Sequence, residues 1–261
     1  MSVLRKAGTF AKDVADLGIG FAIAAVRAAT SSATFAANIG PGLSFKVRGG
    51  ESDIDTLRQV FRDNEYNLEI PKLNAQLDRY YQAMLAAGTV PVIIDAGANI
   101  GAASVWFKRR FPQAEIVSIE PDSDNYRMLT DNVSAFPGIH PLEAAIGSEA
   151  GFVSVIQADQ AWGIKTERAD QGCPVITIDD AARQVASGEL FIVKIDIEGF
   201  ESDLFARDLA WLERAKAVYV EPHDWMMPGQ ATSRNFQRAF GSRDFELYIK
   251  GENLMYVRYE S

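Results

Sequence analysis

One cysteine, Cys173, stands in a chain of 261 residues, so no disulfide can form within it. That suits a reducing compartment and makes a cytoplasmic location the expectation. Positive charge is scarce too: 26 Lys and Arg against 35 Asp and Glu give a net charge of −9 and a pI near 4.9. Gripping nucleic-acid phosphates needs a basic surface, so nucleic acid is not expected as a partner. Long apolar runs are missing. Leu17 to Val26 is flanked closely by Asp16 and Arg27 and is too short to span a bilayer, so no transmembrane span is expected. Histidine occurs only as His140 and His223, which narrows the choice of a neutral-pH base. The length suits one α/β domain with appendages.

Residues 1–40 are rich in Ala, Gly, Ser and Thr, with Arg5, Lys6 and Lys12 near the start. A basic start followed by an apolar middle also describes a signal peptide, but Asp13 and Asp16 sit just ahead of the apolar core. A helical arm packing on the domain or on a second subunit is the preferred reading, and it leaves a homodimer through this arm open. A membrane-surface helix would want a more basic polar face. Pro41, Gly42, Gly49 and Gly50 mark a loop or short hairpin around Leu43 to Val47. Two helices follow, one capped by Asp53 and one running from Pro71 to a stop at Gly88.

From residue 90 apolar runs alternate with helical patterns. Strands are predicted at 91–95, 115–120, 140–146, 190–196 and 216–221. Helices are predicted from near Ile100 to before Pro112, from a cap at Ser123, and over 178–186, 202–212 and 232–240. Phe152 to Ile156 is an extra strand outside the alternation. Phe245 to Tyr259 reads as a hairpin turning at Lys250 to Asn253. The fold class is therefore α/β: a doubly wound, mostly parallel seven-stranded sheet with a C-terminal antiparallel hairpin and an N-terminal helical extension. The expected organisation is an N-terminal helical arm and linker over 1–50, a helical cap over 51–89 and a Rossmann-like core over 90–261.

In such sheets ligands bind beyond the carboxyl ends of the strands. The first strand ends in Asp95-Ala-Gly97-Ala-Asn99-Ile-Gly101 and runs straight into a helix. The glycines permit special dihedrals and close backbone approach, and the helix start offers unpaired N–H groups. This is not the Gly-x-Gly-x-x-Gly turn of dinucleotide sites. Glu120, 25 residues beyond Asp95, tips the next strand, where a carboxylate can accept from two ribose hydroxyls. Asp122 is a candidate for the pocket lining and Ser123 for the helix cap. Ala144 and Ala145 end the third strand and are small enough for a flat ring to stack closely.

The fourth strand carries Val193-Lys194-Ile195-Asp196-Ile197-Glu198-Gly199-Phe200-Glu201. Period two places Lys194, Asp196 and Glu198 on one face, which must meet a ligand, a partner charge or water. An internal ion pair of Lys194 with carboxylates is the plain alternative to a site role for Asp196. The fifth strand leads to Glu221-Pro222-His223. His223 is either a base or a loop histidine bonded to backbone; His140, at the opposite strand end, reads as structural. Glu221 would orient His223 or meet Lys194. Asp196, Glu198, Glu221 and His223 could in principle assemble a divalent-metal site, but no compact ligand spacing supports one, and no metal is expected. Trp162-Gly163 and the cluster Trp225, Met226 and Met227 are candidates for capping an acceptor pocket or for core packing.

The stretch Ile94 to Gly101 resembles motif I of class I S-adenosylmethionine (SAM) dependent methyltransferases. Together with Lys194 to Glu201 and Glu221-Pro-His223, it resembles the FkbM family across roughly residues 90–225. Those enzymes use SAM to methylate hydroxyls of natural products, sugars and related molecules. The resemblance implies that Asp95, Gly97, Asn99 and Gly101 surround the methionine part of SAM, Glu120 the ribose, and Ala145 the adenine. It also implies that Asp196 or His223 orients or deprotonates an acceptor hydroxyl on a small molecule, sugar or glycan. A nicotinamide-dependent oxidoreductase, or a non-catalytic SAM-binding or assembly module, is the alternative.

Overall fold

The structure is a computed structural model that describes residues 3–157 and 164–259. Trp162 and Gly163, expected near the acceptor pocket, lie outside the described residues. Two helices, Val3–Leu17 and Ile19–Ala28, open the chain. The strands then follow as β1 (Thr34–Asn38), β2 (Ser44–Arg48), β3 (Val90–Ala96), β4 (Glu115–Glu120), β5 (Ile139–Glu143), β6 (Ala145–Ile146), β7 (Gly151–Gln157), β8 (Ile164–Ala169), β9 (Cys173–Ile176), β10 (Gly188–Ile195), β11 (Ala217–Val220), β12 (Phe245–Lys250) and β13 (Asn253–Arg258).

The central sheet has seven strands in the order β12-β13-β11-β10-β3-β4-β5. All neighbours from β11 to β5 are parallel, and the β12–β13 hairpin closes the other edge antiparallel. Strands buried on both faces want continuous apolar, β-branched sequence, and Val92-Ile-Ile and Leu190-Phe-Ile-Val supply it. The chain winds from β3 outward through β4 and β5, then returns to the other side of β3 as β10. The strand order therefore reverses at the β3 and β10 tips, which is where an open α/β sheet forms its ligand crevice.

Alternation along the strands feeds two core layers. Ile93, Phe191 and Tyr219 point into one, with Phe107, Leu77 and Tyr66. Val92, Ile94 and Val193 point into the other, with Ile178, Trp211 and Phe236. The first layer also contains Leu17, Phe21, Phe35, Phe45 and Val47. The N-terminal segment thus shares the core of the domain, and it is only partly helical: residues 34–48 form the β1–β2 hairpin, as the glycines around it allowed. Asp13 explains itself here. It is buried between Arg58 and Arg62, with oxygens 2.7 and 3.0 Å from their guanidinium nitrogens. Among the described residues no helix is long and apolar enough to cross a membrane.

Several expectations need correction. Asp53 is the first residue of its helix and not the cap, and its carboxylate accepts from Arg48 instead. The helix predicted over 202–212 is two short pieces, Glu201–Leu204 and a 3-10 turn at Leu209–Glu213. The strand predicted over 140–146 breaks at Ala144, because β6 leaves the central sheet to pair with β9. The extra strand at Phe152 belongs to a second, four-stranded sheet, β6-β9-β7-β8, whose strands β8 and β9 were not predicted. Lys165, Glu167 and Arg168 give β8 no apolar alternation to read. The helix cap is Asp122 and not Ser123. Asp122 has extended dihedrals, and its Oδ1 accepts from the N–H groups of Asp124 and Asn125 at 3.0 and 2.9 Å.

Candidate active site

The glycine corner after β3 is built on positive φ: 77° at Gly97, 49° at Asn99 and 86° at Gly101. A Cβ on Gly97 would stand 1.7 Å from the carbonyl oxygen of Asp196. The close approach that demands glycine is thus to the tip of β10. A Cβ on Gly101 would meet Leu129 and Val133 at 2.9 Å, so this glycine serves helix packing. The N–H groups of Gly97 and Ala98 both donate to the Ile119 carbonyl, which ties the corner to β4.

Asp95 was expected to face the ligand. It lies fully buried beneath the corner. One oxygen accepts from Ser104 Oγ at 2.5 Å, and the other is 3.3 Å from Lys194 Nζ. Lys194 is 2% exposed, donates to the Gly97 carbonyl at 2.7 Å and lies 3.4 Å from Asp196 Oδ2. Burial alone would lower its pKa, but Asp196 and Asp95 outweigh it and hold the ammonium protonated well above its usual value. The internal ion pair and the glycine corner are therefore one construction: a buried cation clamps the turn from below.

Above the corner opens a cleft of about 560 Å³, lined in part by Gly97, Asn99, Glu120, Ala144, Ala145, Asp196 and Phe200. Glu120 is 4% exposed, and its two oxygens accept from the N–H groups of Asn99 at 2.8 Å and Asp122 at 3.0 Å. Burial pushes its carboxyl up to about 7, against the pull of those two bonds. Asn99 Oδ1 is buried with no hydrogen-bond partner among the described residues. Of the predicted site residues, Gly97, Asn99, Glu120, Ala145 and Asp196 line this cleft, while Asp95, Gly101, Asp122 and His223 do not.

Behind Asp196, on the side away from the cleft, lies a charged cluster. His223, 3% exposed, pairs through Nδ1 with Glu201 at 2.8 Å. Its Nε2 lies 3.5 Å from Asp196 Oδ1 and 3.8 Å from Glu221 Oε1. Burial works against the imidazolium, but Glu201, Asp196 and Glu221 push His223 up to about 9. Glu221 is raised in turn, by burial first and then by Asp196. His140 pairs instead with Glu115 at 2.5 Å, at the far end of the sheet.

The family comparison decides what this arrangement belongs to. Residues 95–245 match the model of the methyltransferase FkbM domain. The chain belongs to the FkbM methyltransferase family. It is similar to the methyltransferase sdnD of Sordaria araneosa, with 42% identity over 64 residues, 23% of this chain and 25% of that one. It is similar to the hexuronic acid methyltransferase AglP of Haloferax volcanii, with 28% identity over 145 residues, 54% of this chain and 59% of that one. The 2-O-methyltransferase NoeI of Sinorhizobium fredii is 22% identical over 190 residues, 65% of this chain and 78% of that one. The chain thus spans a quarter and about three-fifths of the first two relatives. A solved FkbM methyltransferase from Methylobacillus flagellatus KT aligns with TM-score 0.45 and 12% identity over 78% of this chain and 58% of that one.

Within this family frame, two site residues escaped the sequence reading. Glu201 closes the Lys194 to Glu201 motif, but nothing in the spacing says that its carboxylate reaches His223. Glu65 comes from the cap before the sheet, in a segment with no motif. Its carboxyl is raised by burial and by nearby Asp196, and it lies beside the β12–β13 turn, within reach of Gly251.

Proposed function

We propose that the chain is a SAM-dependent O-methyltransferase acting on a hydroxyl of a small molecule, sugar or glycan. The observation that carries this reading is a cleft at the strand tips, lined by Glu120 on one side and by Asp196 on the other, with His223 directly behind the Asp196 carboxylate. The cleft fits SAM on three counts. Glu120 has lone pairs left over for two ribose hydroxyls, Asn99 Oδ1 is an acceptor waiting for a donor, and Ala144 and Ala145 leave room for a flat ring. In this reading Gly97 and the corner backbone border the methionine part. Asp95, Gly101 and Asp122 shape the site from behind rather than touching the ligand.

Bound SAM supplies an activated methyl group on its sulfonium. The chain's own task is alignment and proton removal. Asp196, 29% exposed at its side chain, is the carboxylate that both the cleft and solvent can reach. It is the group placed to take the proton of an acceptor hydroxyl bound in the cleft. Lys194 and His223 lie 3.4 and 3.5 Å from its two oxygens, one on either side. Glu201 fixes the His223 ring. The hexuronic acid named for AglP favours a sugar acceptor, and the 2-O-methyltransferase name of NoeI favours oxygen as the methylated atom. The domain responsible is residues 51–261, with the N-terminal segment packed onto it.

Calorimetry with SAM tests the reading. Wild-type protein should bind one equivalent, and Glu120→Ala should lose at least about a hundredfold in affinity, as expected when two charge-assisted hydrogen bonds go. Undiminished affinity in Glu120→Ala would remove the ribose assignment. Mass spectrometry of cell extracts with and without the protein would then reveal the methylated acceptor. Tight SAM binding with no methylated species would leave a non-catalytic module.

A further inference from the structure

Asp196, Glu221 and His223 come from the tips of β10 and β11, adjacent parallel strands. Each offers one ligand atom, and the three atoms lie within 4.8 Å of one another. The sequence offered these residues as possible ligands but no compact spacing to support a site, because strand pairing and not a local motif brings them together. We propose that these three side chains form a divalent-cation site of the Mn²⁺ or Mg²⁺ type at the mouth of the cleft.

Carboxylates alone would not carry this. The deciding observation is His223. It is 3% exposed, its Nδ1 is held by the fully buried Glu201, and its Nε2 is aimed between Asp196 and Glu221. The contacts there, 3.5 and 3.8 Å, are too long for good hydrogen bonds. The first matches the span between neighbouring ligands in a coordination shell, roughly 3.0–3.5 Å for bonds near 2.1 Å, and the second lies a few tenths of an ångström beyond it. A metal-bound histidine almost always has its other nitrogen fixed by a carboxylate or carbonyl, and Glu201 does that here. Lys194 does not block the site, because it faces Asp196 Oδ2 while Oδ1 faces His223.

Two carboxylate oxygens and one imidazole suit a six-coordinate, oxygen-preferring ion. The remaining positions would be left for water and for acceptor oxygens, so a diol or hydroxy-acid edge is the acceptor chemistry this site would take. Binding the ion displaces the proton from Nε2 to solvent and leaves Nδ1–H on Glu201. The ion's role in polarising the acceptor rests on the methyl-transfer reading, but its binding does not.

The test is proton NMR of the full chain during Mn²⁺ titration, because the two histidines form an internal comparison. The His223 ring signals should broaden at substoichiometric Mn²⁺ while those of His140, at the other end of the sheet, stay sharp. Glu221→Gln should weaken Mn²⁺ binding at least tenfold by calorimetry. A wild-type chemical shift for His140 and the melting temperature then report that this variant is folded. If Glu221→Gln does not fold, the wild-type titration alone decides. Equal broadening of both histidines, no broadening at millimolar Mn²⁺, or unchanged affinity in a folded Glu221→Gln would overturn the proposal. SAM calorimetry on the same preparation in EDTA keeps the two readings apart. Retained SAM binding without a Mn²⁺ site removes only the cation, and Mn²⁺ binding without SAM binding removes only the methyl-transfer reading.

Discussion

The two halves of the cleft hold charge in opposite ways. On the β3–β4 side a single carboxylate, Glu120, sits among backbone N–H groups and small apolar side chains. On the β10–β11 side Asp196, Glu221 and Glu201 crowd around one imidazole, with one ammonium below. A lone desolvated acid suits recognition of neutral hydroxyls, since no local cation competes for it. A dense set of acids around exchangeable protons or a cation suits chemistry. The difference teaches that the binding and reacting ends of a substrate are handled by adjacent strand tips of one sheet, with the glycine corner and Lys194 as the wall between them.

If that division is real, the halves fail differently when cut. Asp196→Asn keeps the shape and the hydrogen bonding but removes the proton acceptor. Turnover should fall by about 10² to 10⁴, while SAM affinity stays within a few-fold. Single-turnover kinetics alongside calorimetry would measure both. A parallel loss of SAM affinity would merge the two halves and end the comparison.

The wall between them can be broken on its own. Asp95→Asn leaves Lys194, 2% exposed, short of a carboxylate in a buried setting. Breaking a buried pair costs about 3–5 kcal/mol, and Asp196 at 3.4 Å should place this variant at the low end. Urea denaturation should therefore show a lost stability of about 3 kcal/mol. Loss of SAM affinity with full stability would return Asp95 to the ligand-facing role that its sequence position suggested.

Gly101→Ala gives a smaller effect of the same kind. Its φ of 86° and the 2.9 Å approach to Leu129 and Val133 set a cost of about 1–3 kcal/mol. Both neighbours are flexible side-chain ends, so the cost stays below that of Gly97, whose Cβ would strike backbone.

These variants also mark what was legible in the sequence. The strand tips were: Asp95, Glu120 and Asp196 stop apolar runs, and such stops are local and periodic. The seven-stranded sheet and its final hairpin followed from the same periodicity. The family match places the chain among the FkbM methyltransferases, a family that the missing Gly-x-Gly-x-x-Gly turn also favours over the nicotinamide-dependent oxidoreductases. What a carboxylate touches was not legible. Asp95 points at a lysine 99 positions away, and Glu201 turns back 22 positions onto His223. Both contacts depend on strand register, which a single chain of letters does not display. The second sheet was missed because β8 is charged and β9 short, so burial on one side left no repeating signature.

The finest test acts through protons alone. Glu120 is a carboxyl raised by burial to about 7, where an exposed glutamate would sit at 4.5. Between those values the folded chain keeps a proton that the unfolded chain has lost. Ionisation therefore weakens the fold progressively as pH rises from about 4.5 to about 7. Ribose hydroxyls reverse that preference, because they donate best to the ionised form. SAM affinity should thus rise with pH up to about 7 and level off above it, with a limiting slope of about tenfold per pH unit on the acid side. Glu120→Gln should bind weakly and with a flat profile across the same window. An unchanged slope in that variant would assign the titration to the β10–β11 acids and blur the contrast between the halves.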